Sequence, residues 1–212
     1  MEILSFLQSN WSTILMILLA MFVLWNAFAN AGSKQYITLE RRWVGKTMGD
    51  GRTVALSGEI GVQAKILGPG LHFFIPFINK ARKHDVIEVG PTQMMALEAV
   101  TGKDLPIGQF FGTPVDCKNY QDGEAFLRNG GYKGFQSVML PPGEYMINPN
   151  LFKWVVSNEI TVEESEVGMI EATAGLPIPA GRIFAEPVEC DNFQDSEKFF
   201  ANGGQKGPQL SV

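Results

Sequence analysis

Two stretches of the sequence repeat each other and decide the fold: PIGQFFGTPVDCKNYQDGEAFLRNGGYKGFQ, starting at Pro106, and PAGRIFAEPVECDNFQDSEKFFANGGQKGPQ, starting at Pro179. They align without a gap at an offset of 73 residues, from 106 to 179. A shorter frame, G-x-x-G-x-Q, extends the repeat to a third copy, because it occurs at Gly58, Gly131 and Gly204. This period is longer than that of ordinary solenoid repeats, so we expect small domains in tandem.

Each copy carries the signals of a short helix between strand-like segments. Asp122 is expected to cap the helix, Glu124 to complement its positive end, and Gly130-Gly131 to allow a left-handed exit. Phe126 would bury one face of the helix. The later copy has the same residue types at Asp195, Glu197, Phe199 and Gly203-Gly204. The sequence therefore predicts a mainly β protein with short helices, an α+β fold.

The repeat and its flanks set the expected domain organisation. We expect a transmembrane anchor at 1–33, a basic juxtamembrane segment at 34–57, a β unit at 58–105, a repeat unit at 106–178 and an incomplete repeat unit at 179–212. Because the last copy breaks off at Val212, we expect the sequence to be part of a longer protein.

Two further residue types recur at fixed positions. Gln63, Gln136 and Gln209 share one register, and each could bond either the neighbouring unit or its own local backbone. Cys117 and Cys190 also correspond, but two cysteines are too few for a disulfide framework. We therefore expect two reduced, partly buried thiols.

The N-terminal segment has the composition of a membrane anchor. From Met1 to Ser33 the only charged side chain is Glu2, and residues 14–25 are all apolar. As a helix at ~1.5 Å per residue, Trp11 to Ala31 would cover about 31 Å, close to the ~30 Å hydrocarbon core of a bilayer. The expected anchor residues are Trp11, Ile14, Leu18, Phe22 and Trp25.

Basic residues follow this segment directly. Those expected to lie at the membrane surface are Lys34, Arg41, Arg42, Lys46 and Arg52. Positive charge on the C-terminal flank predicts a single-pass protein with its body in the cytoplasm. The alternative is a cleaved signal peptide, because Ala29-Asn30-Ala31 fits a cleavage pattern, although the basic n-region is missing.

Charge and motif content exclude several classes of function. Residues 1–83 hold nine Lys and Arg against four Asp and Glu, whereas residues 84–212 hold eight against eighteen. An acidic distal part argues against nucleic acid as a partner, because phosphate binding needs a dense basic face. No catalytic, metal-ligand or cofactor-binding motif occurs, and His72 and His84 stand alone. We therefore expect no enzymatic activity, no cofactor and no metal.

Three motifs follow the anchor in order: a strand-like stretch at 59–62, the sequence GPGLHFFIP at 68–76, and a mixed basic and β-branched stretch at 80–89, which the 58–105 unit contains. In this order they resemble the SPFH (band 7) family of stomatin, prohibitin and flotillin, so the resemblance implies that the 58–105 unit is SPFH-like. The flotillin-like bacterial group is the most similar. The resemblance implies an SPFH-like fold, homo-oligomers, membrane lipids as ligands, and a membrane protease or an NfeD-type protein as partner. The long charged helix of the family is absent.

Two functions from different classes follow. The resemblance implies a non-enzymatic, membrane-anchored scaffold that organises membrane proteins or lipid domains. The alternative is an exported binding module of the cell envelope, in which tandem β units recognise a glycan or a protein.

Overall fold

The structure is a computed structural model that describes residues 2–49 and 51–209. Its helices and strands follow one another along the chain as α1 (Glu2–Asn26), β1 (Phe28–Ala31), β2 (Gln35–Arg41), β3 (Gly61–Leu67), β4 (Gly70–Phe73), β5 (Asn79–Asp85), β6 (Ile87–Val89), β7 (Gln93–Ala99), α2 (Gly123–Arg128), β8 (Gly134–Phe135), β9 (Gly143–Tyr145), β10 (Phe152–Asn158), β11 (Glu171–Ala172), α3 (Ser196–Ala201) and β12 (Gly207–Pro208). Beyond α1 the described chain is mainly β with short helices, as the repeat predicts.

The N-terminal helix does not extend over the whole predicted membrane span. It ends at Asn26, and Phe28–Ala31 instead form β1, which pairs antiparallel with β4. The apolar run at 14–25 covers only about 18 Å at ~1.5 Å per residue, against the ~30 Å that a span needs. Within the described residues, no helix combines the length and the apolar character needed to traverse a bilayer. The prediction of a transmembrane helix is therefore wrong, and the finding does not favour single-pass anchoring.

Strand pairing forms two equivalent units, which we call unit A (residues 28–85) and unit B (residues 87–158). In unit A, β1 pairs with β4, and β2 lies between β3 and β5. In unit B, β6 pairs with β9, and β7 lies between β8 and β10. Strands β4 and β5 correspond to β9 and β10 at the offset of the sequence repeat. The units are defined by hydrogen-bonded strands, and the domain boundaries given above stay predictions.

Residues 159–209, which we call unit C, begin a third unit of the same kind. Glu171 of β11 lies opposite Pro208 of β12, just as Glu98 of β7 lies opposite Phe135 of β8. Helix α3 occupies the place that α2 has in unit B. Unit C therefore repeats the central part of unit B.

The predicted helices and their caps are confirmed. The carboxylate of Asp122 accepts a hydrogen bond from the Ala125 amide at 3.0 Å, and that of Asp195 accepts one from the Lys198 amide at 2.9 Å. Among the residues of unit A that the structure describes, no equivalent helix is found. The Lys46–Glu59 bridge there corresponds to a bridge in unit B that encloses α2, so a short connection replaces the helix.

Units A and B share one hydrophobic core. The cluster joins Val54 and Ala64 of unit A to side chains of unit B that include Met95, Phe126 and Phe152. Two polar contacts cross the same boundary. The Asn148 amide donates to the carbonyls of Gln63 and Ala64, and the Tyr36 hydroxyl donates to the carbonyl of Ile147.

The side-chain amides of the recurring glutamines donate to their own local backbone and not to the neighbouring unit. Each Nε2 donates to the carbonyls four and two residues earlier, at 2.8 to 2.9 Å in all three copies. The local contact, one of the two alternatives left open by the sequence, is therefore the one observed. It closes the tight glycine turn that precedes each glutamine.

Candidate functional site

The hairpin of β1 and β4 exposes an apolar face. Alternation along a strand places Leu71 and Phe73 on one side of the hairpin, and 68% and 64% of these residues are exposed. Phe28 lies opposite Phe73, with the ring centroids 5.4 Å apart. Ile75 and Phe77 in the following turn are also exposed. We call these five residues the apolar hairpin surface.

The equivalent hairpin of unit B lacks this surface. At the repeat offset, residues 71, 73, 75 and 77 correspond to Glu144, Met146, Asn148 and Asn150. Unit B thus builds the same strand pair with polar side chains at three of the four positions. The exposed apolar residues of unit A are therefore not required by the fold, and an exposed apolar patch of this kind marks an interaction surface.

Helix α1 adjoins the hairpin, and its C-terminal half, residues 14–25, is apolar on all sides. The Phe74 amide donates to the carbonyl of Ala27, directly after the helix, at 2.9 Å. Five consecutive residues, Leu15 to Leu19, are exposed, and consecutive helical residues lie about 100° apart around the axis. Of the residues expected to form the anchor, Ile14 is half-buried, and Trp11, Leu18, Phe22 and Trp25 are exposed.

The basic residues expected at the membrane surface are divided between two environments. Lys34 forms ion pairs with Glu88 and Glu144, and these hydrogen bonds raise the pKa of its ammonium group. Arg52 pairs with Glu59 at 2.7 Å and holds the pKa of that carboxyl below its ordinary value. The charges of Lys34 and Arg52 are therefore neutralised locally.

The other three basic residues lie near the end of β2. Arg41 is half-buried in the strand, whereas Arg42 and Lys46 are exposed. The Arg42 amide donates to the carbonyl of Ile78 at 2.8 Å, which places it beside the turn of the apolar hairpin surface. Trp43, the next residue, is exposed as well. An exposed cation and indole thus flank the apolar residues.

Sequence reasoning located the basic residues but missed the apolar hairpin surface. From the sequence alone, the apolar residues of GPGLHFFIP would be assigned to the buried face of a hairpin. A signal for this surface was present in the repeat, because Leu71 corresponds to Glu144, a charged and exposed residue.

Two cavities lie where a helix meets the preceding unit. One, of about 470 Å³, lies between α3 and the 106–113 loop and is lined by apolar residues that include Ile107 and Phe200. The other, of about 560 Å³, lies between α2 and β3 and carries charges of both signs.

Cys117 and Cys190 are free and buried, and burial raises the pKa of the Cys117 thiol. In the described ranges, no group of three His, Cys, Asp or Glu side chains is placed to hold a metal ion.

No protein-family model matches this chain, and no curated protein matches it. The function therefore has to be inferred from the chemistry of the exposed surfaces. The resemblance to the SPFH family stays a hypothesis. Its central sequence, residues 68–76, forms the turn between β3 and β4, strand β4 itself and the start of the turn that follows β4.

Proposed function

We propose that the protein is a non-enzymatic scaffold that binds a lipid surface through the apolar hairpin surface and the adjoining helix α1. The observation that carries the proposal is the contrast between two equivalent hairpins. Leu71 and Phe77 are exposed in unit A, where unit B has Glu144 and Asn150. Units B and C would then remain in water and be available to other molecules.

The hairpin residues supply enough apolar area for reversible binding. Burying a large apolar side chain is worth about 1.5 to 3 kcal/mol. Each of the five hairpin residues is already partly covered, so we assign about 1 kcal/mol to each. A total of about 5 kcal/mol is comparable to a weak, reversible lipid anchor, and contacts from α1 would add to it.

Charge favours an anionic lipid surface over a neutral one. Arg42 lies beside the turn that carries Phe77, and Lys46 is also exposed. A basic residue close to an anionic membrane contributes about 1 kcal/mol, and salt screens this attraction. Binding should therefore weaken as ionic strength rises, while the apolar part persists.

A scaffold gains strength when several chains lie side by side on one surface, because weak contacts then add. The homo-oligomer, and the membrane protease or NfeD-type partner, stay predictions from the resemblance. The cytoplasmic location of the body also stays a prediction. Lipid binding by the hairpin can be tested without any of them.

The test replaces the hairpin residues with those that unit B has at the same positions. The triple variant Leu71→Glu, Ile75→Asn, Phe77→Asn keeps a backbone that the chain already builds with polar residues. Flotation with vesicles of phosphatidylcholine and anionic phosphatidylglycerol would measure binding. We expect the bound fraction to fall roughly tenfold or more, because about 3 kcal/mol of apolar contact is lost.

The control is Ile107→Asn, which removes an isoleucine of unit B that is more exposed than Ile75. We expect this variant to bind vesicles as the unaltered chain does. Circular dichroism would verify that all variants are folded. Undiminished vesicle binding by the folded triple variant, or no binding by the unaltered chain, would overturn the proposal.

A further inference from the structure

The apolar cavity between α3 and the 106–113 loop lies where units B and C meet, and we call it the B–C cavity. Its volume of about 470 Å³ is in the usual range of small-molecule sites. Among the described residues that line it, Glu197 is the one with a charged side chain. An apolar cavity with a few polar groups is the common form of a ligand site.

The carboxylate of Glu197 lacks the partners that its counterpart in unit B has. Glu124, its equivalent at the repeat offset, accepts hydrogen bonds from Nη2 of Arg128 at 2.5 Å and from the Ser57 hydroxyl at 2.6 Å. In unit C the position of Arg128 is taken by Ala201, which lines the B–C cavity. No described residue forms an ion pair with Glu197. The carboxylate is therefore kept, whereas the cation beside it is replaced by a methyl group.

Three phenylalanine rings line the same cavity. The ring centroids of Phe110 and Phe111 in the loop lie 5.8 and 5.1 Å from that of Phe200 in α3. At the boundary of units A and B, Leu127 corresponds to Phe200 by the repeat offset. Val54 corresponds there to Phe111, by the bridges that join each loop to a recurring glutamine. Aromatic faces, which attract organic cations, thus occur at the boundary where the arginine is missing.

The polar groups of the cavity favour a cation and disfavour a phosphate. None of the described residues that line it is lysine or arginine, so a phosphate would lie near Glu197 without a compensating charge. The Oγ atom of Ser137, another lining residue, is buried and has no hydrogen-bond partner among the described residues. A buried hydroxyl without a partner costs free energy, and a bound molecule with a polar substituent would supply the partner.

From the carboxylate without an ion pair, the three rings and the unsatisfied hydroxyl, we propose that the B–C cavity binds a small organic ammonium compound that carries no phosphate. Its nitrogen lies beside Glu197, at the place where unit B has a guanidinium group. The alkyl groups on the nitrogen contact the rings of Phe111 and Phe200, and Ser137 bonds a polar substituent. These residues belong to units B and C, so the inference is independent of lipid binding by unit A.

Titration of the full chain with choline, followed by NMR, tests the chemistry of the ligand. We expect saturable binding below roughly 20 mM. The neutral isostere 3,3-dimethyl-1-butanol has the same shape without the charge, and it should bind roughly threefold more weakly or worse. Phosphocholine should also bind more weakly than choline. The absence of saturable choline binding would overturn the proposal. Binding of either other compound as tightly as choline would overturn it too, and for phosphocholine would point to a lipid headgroup.

Substitutions locate the bound choline. Glu197→Gln should weaken binding roughly three- to tenfold. The matched control Glu189→Gln neutralises an exposed glutamate of unit C outside the cavity and should leave binding unchanged. Ala201→Arg gives unit C the arginine of unit B, and we expect it to weaken binding roughly tenfold or more, because the guanidinium group takes the place of the ligand.

Circular dichroism would verify that the variants are folded. Undiminished choline binding by folded Glu197→Gln or Ala201→Arg would overturn the proposal. Analytical ultracentrifugation distinguishes the remaining occupant. A dimer of the unaltered chain that Ala201→Arg dissociates would show that a basic side chain of a second copy fills the cavity, and this result would overturn it as well.

Discussion

Gly131 shows how a single residue position controls the packing of each helix. A Cβ atom there would lie 2.3 Å from Cε2 of Phe126, and one at Gly204 would lie 2.4 Å from the ring of Phe199. The glycines at the helix exits therefore serve two purposes. Gly130 and Gly203 adopt positive φ, whereas the second glycine of each pair makes room for the phenylalanine ring.

We expect Gly131→Ala to lower the free energy of unfolding by about 1 to 3 kcal/mol, because the new methyl group overpacks the core against Phe126. Urea denaturation would measure the change. Gly68→Ala is the control, since a Cβ at Gly68 meets nothing within 4 Å and φ there is not positive. That variant should lie within about 1 kcal/mol of the unaltered chain. Equal stabilities for the two variants would contradict the packing role.

Asn148 links units A and B through its amide group. Its Nδ2 donates to the carbonyls of Gln63 at 2.9 Å and Ala64 at 3.0 Å, and the residue is buried. Asn148→Asp removes both donors and directs a carboxylate at two carbonyl oxygens. We expect a loss of about 1 to 3 kcal/mol or more in unfolding free energy, measured by thermal or urea denaturation.

The control for this substitution is Asn158→Asp. Asn158 uses its side-chain oxygen to accept from Gln93, and an aspartate keeps that acceptor. We expect little change in stability. If the variants at 148 and 158 unfold alike, the hydrogen bonds of Asn148 contribute nothing measurable to the A–B boundary.

Strands β2 and β5 hold His84 in an environment that depends on pH. Its Nε2 lies 2.9 Å from the Thr38 hydroxyl, and its ring stacks on Tyr36 at 5.3 Å. Burial lowers the pKa of His84, Arg82 lowers it further, and Asp85 opposes the shift. The unfolded chain therefore takes up the proton at a higher pH than the folded chain does.

The sign of the pH effect follows from that difference. The contribution of His84 to stability is present above its unfolded pKa of about 6.5 and is lost as the pH falls through the lower folded value. We expect the melting temperature to fall between about pH 7.5 and pH 5.5, and His84→Gln to reduce this slope. Melting curves across the range provide the measurement. The same slope in both proteins would show that other groups cause it.

Helices α2 and α3 could be predicted from the sequence, whereas the end of helix α1 could not. Caps and glycine exits are local, so Asp122 and Asp195 sufficed to predict α2 and α3. The end of α1 could not be predicted in this way, because Phe28–Ala31 continue the apolar run without a helix stop signal. Those residues become a strand through pairing with β4, more than forty residues away. A tertiary contact, the pairing with β4, therefore determines that Phe28–Ala31 form a strand, which the local sequence pattern does not predict.

At the scale of the whole chain, the candidate site also could not be predicted from the sequence alone. The repeat predicted tandem β-rich units, but it did not reveal which strands pair. Unit A replaces the helix with a short connection between Lys46 and Glu59, so its first two strands lie at a different offset from those of unit B. The repeat already matched Leu71 to Glu144, but the apolar hairpin surface became recognisable only when the structure showed Leu71 and its apolar neighbours to be exposed.

The units should also differ in stability, because the core is not distributed evenly. The main hydrophobic cluster joins units A and B and contains no residue of unit C. Strands β11 and β12 have two residues each, whereas β7 and β10 pair along seven. Local opening should therefore require less free energy in unit C than in the joined units.

Hydrogen exchange on the full chain would test this difference. The amides of Lys103 and Lys133 donate to the carbonyls of Gly131 and Lys103 within unit B, and those of Leu176 and Lys206 form the corresponding bonds in unit C. We expect the unit C amides to exchange roughly tenfold faster or more, since each 1.4 kcal/mol of opening free energy changes the rate about tenfold. Equal protection in both sets would mean that all three units open together. Unit C would then owe its stability to contacts with unit B, such as the 2.7 Å hydrogen bond from Ser196 to the Ser137 carbonyl.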